Sequence, residues 1–354
     1  MIDVGKIFAL EGNVTACEPH GCGHINHTFH VHTDAGRDYI LQTINTDIFP
    51  DADMLMRNID AVTRHLATKS DDPRHTLHVI PTRVGTLYHR DEEGRCWRVY
   101  DFVHGGVCLQ KAETAHDFYQ SAVAFGRFQI ELADFAADTL GEVIPRFHDT
   151  PDRFAALHAA LDADVCGRAE SVKAEIDFAL SRESSVGELV EGMRTGRIPL
   201  RVTHNDTKLN NVILDEKTME PLCVIDLDTV MPGAAAYDFG DSIRFGASTA
   251  AEDEKDLDKV QMDLDLYEAY AKGYLSACGA RMDAEEKRSL AVGARLITLE
   301  CGVRFLTDYL QGDHYFATHY EGQNLDRCRT QFKLVADMES KWDKMLAIIE
   351  KYGE

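Results

Sequence analysis

Short runs in which apolar and polar residues alternate mark the first hundred positions as strand-rich. The Gly-bearing segment GCGHINHTFHVH (21–32) runs into alternating residues, and RDYILQTIN (37–45) reads as a second strand. In PDADMLMRNIDAVTRHLA (50–67) the period changes. Leu55, Ile59, Val62 and Leu66 fall at helical spacing, with Asp51 or Asp53 as N-cap. TLHVIPTRV (76–84) and RCWRVYDFV (95–103) predict further strands, the second ending against Gly105 and Gly106. Beyond them, Phe118, Ala122, Phe125, Phe128, Leu132 and Phe135 mark a long amphipathic helix. Helical patterning returns at 153–182, 264–277, 286–310 and 323–352, and strand-like runs interrupt it only over 203–230. The pattern predicts an α+β chain with a β-rich N-terminal lobe over 1–103 and a mainly helical C-terminal lobe over 104–354.

Composition narrows the class. At 354 residues, with 44% hydrophobic and 8% aromatic content, the chain suits a globular protein of two lobes or domains. A net charge of -23 argues against nucleic acid or an anionic membrane as partner, yet leaves room for a small phosphorylated ligand in a local basic pocket. Nine cysteines without a C-x-x-C pair predict reduced thiols and a cytoplasmic protein. No apolar run is long enough to span a bilayer, and the first residues do not read as a signal peptide.

The chemistry concentrates in HNDTKLNNVILD (204–215). NVIL (211–214) and LCVID (222–226) predict a hairpin. Pairing Val212 with Ile225 and Leu214 with Cys223 places Asn211 opposite Asp226. An amide oxygen and a carboxylate at one hairpin end suit Mg²⁺, which completes its shell with water and phosphates. A nearby Asp that is not a ligand, Asp206, is then free to orient a hydroxyl and accept its proton. His204-x-Asp206-x-x-x-x-Asn211 has the spacing of the kinase catalytic loop, with Lys208 two residues after the Asp. The alternative is an Asx-rich turn whose side chains only satisfy backbone groups. A Walker A loop is absent from the sequence.

THNDTKLNNVILD (203–215) followed by VIDLDTVMPGAAAYDFGDSIRFG (224–246) resembles the aminoglycoside phosphotransferase and choline kinase superfamily, whose fold is protein-kinase-like and two-lobed. Through GHINHTF, YILQTINTDIF and CGVRFLTDYLQGDHYF the chain looks most like N-acetylhexosamine 1-kinases within it. The resemblance implies ATP and Mg²⁺ as cofactors and a small sugar, GlcNAc or GalNAc, as acceptor. Asp206 would be the base, Asn211 and Asp226 the Mg²⁺ ligands, and His204 a buttress of the loop. Lys208 would offset charge on the transferring phosphoryl group. Asp228 either supports the metal site or caps the next turn.

Gly21, Gly23 and Asn26 lie between two predicted strands, where kinase-like folds place the phosphate-covering loop. Gln42, in Tyr39-Ile40-Leu41-Gln42, stands where such kinases carry a phosphate-pairing Lys, so Lys208 is expected to supply more of the charge. By resemblance, backbone groups of Asp101 and Val103 hold adenine. His20, His24, His27, His30 and His32, with Cys17 and Cys22, also invite a zinc reading, but their spacings match no zinc module. His24 is read as a substrate or phosphate contact or an exposed loop residue. On the acceptor side, Asp238 and Asp241 are expected at a helix start, at least one as an N-cap. Phe245 packs on a sugar face or in the core. The resemblance carries Arg304 and Tyr315 to the acceptor sugar, against the simpler reading of an intrahelical Glu300–Arg304 pair.

Overall fold

A computed structural model describes residues 2–21 and 26–354. Gly23 and His24, expected at the phosphate and substrate site, lie outside the described residues, as does Cys22.

The chain starts with α1 (Val4–Ile7), β1 (Val14–Pro19), β2 (Thr28–Thr33) and β3 (Asp38–Ile44), then α2 (Ala52–Leu66), β4 (Val79–Ile80), β5 (His89–Arg90) and β6 (Cys96–Asp101). These strands form one antiparallel sheet, ordered β1-β2-β3-β6-β4, with β5 also on β6. Alternation sorts its two faces. Val31, Leu41 and Val99 pack with Val4 and Phe8 from the N-terminal segment. Cys96 and Tyr100 face α2, whose Leu55, Ile59 and Val62 are fully buried. Asp51 is the α2 N-cap, accepting from the Met54 N–H. Asn58 of α2 is buried and bonds the backbone of Gly141 and Val230, which ties the sheet lobe to the remainder.

β7 (Gly106–Val107) leads to the helical lobe: α3 (Ala115–Glu131), α4 (Thr150–Ala163), α5 (Lys173–Leu180) and α6 (Glu188–Arg194). Three short strands follow, β8 (Arg201–Thr203), β9 (Val212–Asp215) and β10 (Pro221–Val224), then β11 (Met231–Gly233). The chain closes with α7 (Ala235–Gly246), α8 (Leu264–Cys278), α9 (Ala284–Gln311), α10 (Gln323–Ser340) and α11 (Trp342–Gly353). α3 starts at a Thr114/Asp117 capping box, a turn earlier than its apolar stripe indicates. The helical span expected over 153–182 is divided because Asp164 turns left-handed after α4 and its carboxylate takes the N–H groups of Arg168 and Ala169. The span 323–352 breaks at Lys341, whose ammonium reaches the Met262 carbonyl and Asp337.

α7 matters most for the site. A Cβ at Gly293 would overlap the Ala236 carbonyl, and one at Gly240 the Gly293 carbonyl. α7 and α9 therefore touch backbone to backbone, which presses α7 toward the loop between β8 and β9. Among the described residues no helix is long and apolar enough to cross a membrane.

Candidate active site

The loop after β8 is held from α7 and from the segment around Ile225 and Thr229. Asp238, 1% exposed, accepts the N–H groups of His204 (3.0 Å) and Asn205 (2.8 Å) and the Gln129 amide (2.9 Å). Asp241 accepts the Thr207 N–H at 3.0 Å and pairs with Arg244. Ala234 is the N-cap of α7, so neither acid caps the helix as expected. Both sit within it, because buried loop N–H groups need acceptors and no strand supplies them. Burial raises Asp238, against the pull of the His204 and Asn205 N–H groups and the Gln129 amide. Burial acts on Asp241 too, but Arg244 and Lys208 outweigh it and hold that carboxyl below its ordinary value.

His204 is fully buried, with Phe125 and Phe128 edge-on to its ring. Its Nδ1 accepts the Asp206 N–H (3.2 Å), and its Nε2 faces the Ile225 carbonyl at 2.8 Å. That pattern calls for an imidazole protonated on Nε2 alone. Asn205 adopts φ 65°, a left-handed conformation that Asn tolerates, and its amide bonds the Thr229 carbonyl at 2.8 Å. It is a turn-forming clamp. Asn210 retains a buried side-chain oxygen without a partner among the described residues, and nothing in the structure explains it.

Asp206 emerges from this clamp with a quarter of its side chain exposed. Its carboxylate meets the Lys208 ammonium at 2.7 Å and the Asn211 amide nitrogen at 3.0 Å. Burial works against the charge on Lys208, yet Asp206 and Asp241 raise it above the ordinary lysine value. The hairpin register differs from the expected one. Val212 pairs with Val224, Cys223 with Ile213 and Pro221 with Leu214, across a bulge between Pro221 and Cys223. Asn211 consequently faces Ile225, whose N–H donates to its carbonyl at 2.9 Å, and not Asp226. Asp226 follows Ile225 directly and turns left-handed at φ 59°, and its carboxyl feels that of Asp206.

Asp226 is exposed to solvent, and no hydrogen bond from the described residues reaches its carboxylate. The protein enclosing it and then the carboxylates of Asp228 and Asp206 push its carboxyl up to about 6. Asn211 spends its amide nitrogen on Asp206, which turns its carbonyl oxygen away from that acid. A reachable carboxylate with no hydrogen-bond partner among the described residues, one residue along from the Ile225 that faces Asn211, and the Asn211 amide oxygen are donor types that fit a hard divalent cation.

The nucleotide-side residues divide. Asn26 donates to Asp228 at 2.7 Å and accepts the Asn45 N–H at 3.0 Å, joining the β1–β2 loop to the segment after Asp226. Gln42 accepts two bonds from Arg98 (3.2 and 3.0 Å) and donates to Thr28 at 3.0 Å. Arg98, a residue sequence reasoning passed over, is 1% exposed and also pairs with Asp228. Burial opposes its charge, and Asp228 more than offsets this, so it stays ionised. Asp228 therefore neither caps a turn nor stands free. Asp101 and Val103 line a recess of about 230 Å³ beside the connector, with Arg37, Asp38 and His78. The Asp101 N–H is taken by the His78 carbonyl. His30, His32 and Asp38 bring ligand-type atoms within 4.8 Å of one another, with His30 stacked on Phe102 at 4.3 Å. Burial lowers the His30 imidazole, and His32 adds to that.

Arg304 and Tyr315, which the resemblance assigned to an acceptor, come together in the structure. The guanidinium reaches the Tyr315 hydroxyl at 3.3 Å and lies over the Phe147, Tyr315 and Phe316 rings. Glu300 does not pair with Arg304. It is 1% exposed and binds His148 (2.9 Å) and Thr150 (2.8 Å), because burial inside the helix pack favours partners there. Phe245 is 44% exposed on α7 and, among the described residues, makes no ring contact with Arg304 or Tyr315.

An antiparallel sheet lobe, a helical lobe and an Asp–Lys–Asn loop behind a free Asp define a kinase-like phosphotransferase. Residues 16–277 match the phosphotransferase enzyme family also called APH, and the chain belongs to that family. Its fold is similar to that of a microcompartment-associated aminopropanol kinase (18% identity, 96% of this chain and 95% of that chain, TM-score 0.56). It is also similar to amicoumacin kinase, solved in complex with AMP-PNP, Ca²⁺ and Ami (12%, 93% and 91%, 0.63), and to a choline kinase of Cryptosporidium parvum Iowa II (14%, 99% and 94%, 0.54).

Proposed function

We propose that the protein is an ATP- and Mg²⁺-dependent kinase that phosphorylates the anomeric hydroxyl of GlcNAc or GalNAc, acting in the cytoplasm. The observation that carries the reaction is the Asp206 carboxylate, held by Lys208 and Asn211 at the tip of a loop clamped from beneath. Asp206 takes the proton of the acceptor hydroxyl as its oxygen forms the new bond to phosphorus and ADP leaves. Lys208 offsets the charge that develops on the transferring group. Asn211 and Asp226 would hold Mg²⁺, which when bound neutralises phosphate charge. Asn26 and the backbone at Asp101 and Val103 would hold the nucleotide, with lobes meeting near residue 103.

Arg304 supports a neutral acceptor. A guanidinium at the acceptor side repels choline or an amino alcohol but supplies a hydrogen-bond fork for sugar oxygens. Desolvation pushes the half-buried Cys301 thiol up to about 11, and Arg244 and Arg304 both act against that rise. Phe245 would add an apolar face for the sugar ring.

The test incubates γ-labelled ATP with GlcNAc, GalNAc, choline, an amino alcohol and homoserine. The proposal expects label in an acid-labile sugar 1-phosphate, and Asp206→Asn should lower its formation by roughly 10²-fold or more. Label in choline or the amino alcohol instead would overturn the acceptor, and unimpaired Asp206→Asn would overturn the mechanism.

A further inference from the structure

Kinase-like folds place a Lys on the third strand of the sheet to pair the nucleotide phosphates, and here that position is the neutral Gln42. The register of the sheet shows where a replacement stands. Gln42 on β3 is the direct cross-strand partner of Arg98 on β6. Both side chains point to the face that carries Tyr100 and looks toward the helical lobe, since Leu41 and Val99 occupy the other face.

We propose that Arg98 is the phosphate-binding cation of this enzyme, supplied from the strand next to the usual one, and that Gln42 is its positioning residue. The inference rests on the kinase reading above. Donor arithmetic supports it. A guanidinium has five N–H bonds. Arg98 uses Nε and one Nη2–H on the Gln42 carbonyl oxygen and one Nη1–H on Asp228. Two N–H bonds meet no acceptor among the described residues, although the side chain is 1% exposed.

Gln42 does what a lysine there would prevent. Its oxygen accepts two bonds from the guanidinium, and its nitrogen is anchored on Thr28 at 3.0 Å, so the amide fixes the plane of the fork. A planar fork with two spare donors matches two phosphate oxygens. Arg98 pairs with Asp228, two residues along the chain from Asp226, one of the proposed metal ligands. Asn26 takes the second oxygen of Asp228, so the loop between β1 and β2 is tied to the same cluster. A plain clasp between lobes requires the Arg98–Asp228 pair but neither spare donors nor a matched amide.

Removing Arg98 alone strands a buried carboxylate, so the informative comparison is Asp228→Asn against Asp228→Asn with Arg98→Gln. Calorimetric titration with ADP plus Mg²⁺, and separately with adenosine, reads the phosphate contribution without turnover. The proposal expects Arg98→Gln to weaken ADP binding by about 10- to 100-fold in that background, with adenosine changed by less than about twofold. Adding Gln42→Lys should recover at least about tenfold of any larger loss. Folded double variant with unchanged ADP affinity, or equal losses for ADP and adenosine, would overturn the role of Arg98 while leaving the kinase reading standing. Wild-type protein that binds adenosine and ADP equally well would overturn the kinase reading itself, and Arg98 with it.

Discussion

Replacing Asp238 by Asn tests whether α7 holds the catalytic loop. The carboxylate takes three bonds: from the His204 N–H and the Gln129 amide on one oxygen, and from the Asn205 N–H on the other. An asparagine keeps one oxygen for the first two donors and turns its NH₂ toward the third. The Asn205 N–H then loses a charged acceptor and faces another donor in a site that is 1% exposed. A lost bond to a charged group and a buried unsatisfied N–H together cost about 3–4 kcal/mol. Loss of a buried charge offsets about 1 kcal/mol of this, which leaves a net destabilisation of about 2–3 kcal/mol. For a chain of this length that corresponds to a melting point lower by about 3–4 °C. Asp206 follows Asn205 directly, so turnover should fall by about tenfold or more as the base moves off its position. Urea unfolding followed by circular dichroism measures the first quantity, and initial rates with the active acceptor measure the second. A variant within about 0.5 kcal/mol of wild type and with full turnover would refute the clamp.

Glu300→Gln probes the buried acid that burial alone would raise but that His148, with smaller help from Arg304 and Thr150, holds below its ordinary value. A depressed carboxyl adds stability above its unfolded value near 4.5 and loses it as pH falls through the folded one. The variant should therefore be less stable at pH 7, by roughly 3 kcal/mol, and the gap should close as the pH falls below the pKa of an ordinary carboxyl. A gap independent of pH would refute it. Asp226→Asn should leave the metal-free protein at least as stable as wild type, since that carboxylate has no hydrogen-bond partner among the described residues. It should weaken ADP binding in Mg²⁺ by about tenfold or more; calorimetry checks this, and unchanged affinity would remove Asp226 from the metal site. Arg304→Ala should raise the acceptor KM by about tenfold with ADP affinity unaltered, and a shift in both would place Arg304 elsewhere.

Much of the site was legible because its spacing is local. His204, Asp206, Lys208 and Asn211 lie within eight residues, and a loop between two strands keeps such neighbours together whatever surrounds them. The lobe order was equally readable, since period-two alternation and helical stripes each report which side of an element is buried. The hairpin register was not, because the bulge at Pro221–Cys223 shifts pairing without changing the apolar pattern. Asp238 and Asp241 looked like caps because an acid near a helix start says nothing about which distant N–H groups lack acceptors.

Arg98 shows the limit most plainly. Along the chain it is one Arg in an apolar strand between Trp97 and Val99, and its parity with the core residue Tyr100 was the only available signal. Its meaning depends on Gln42, 56 residues away, and Asp228, 130 residues away, which only the sheet register and the packing of the lobes bring to it. The sequence by itself determined the sheet and helical lobes, the polar loop and the donor types within it. The tertiary structure decided which acids hold the loop, which one has no hydrogen-bond partner among the described residues, and from which strand the buried positive charge comes. Periodicity and short spacings are properties of neighbouring residues, whereas the partner of a buried charge is set by folding.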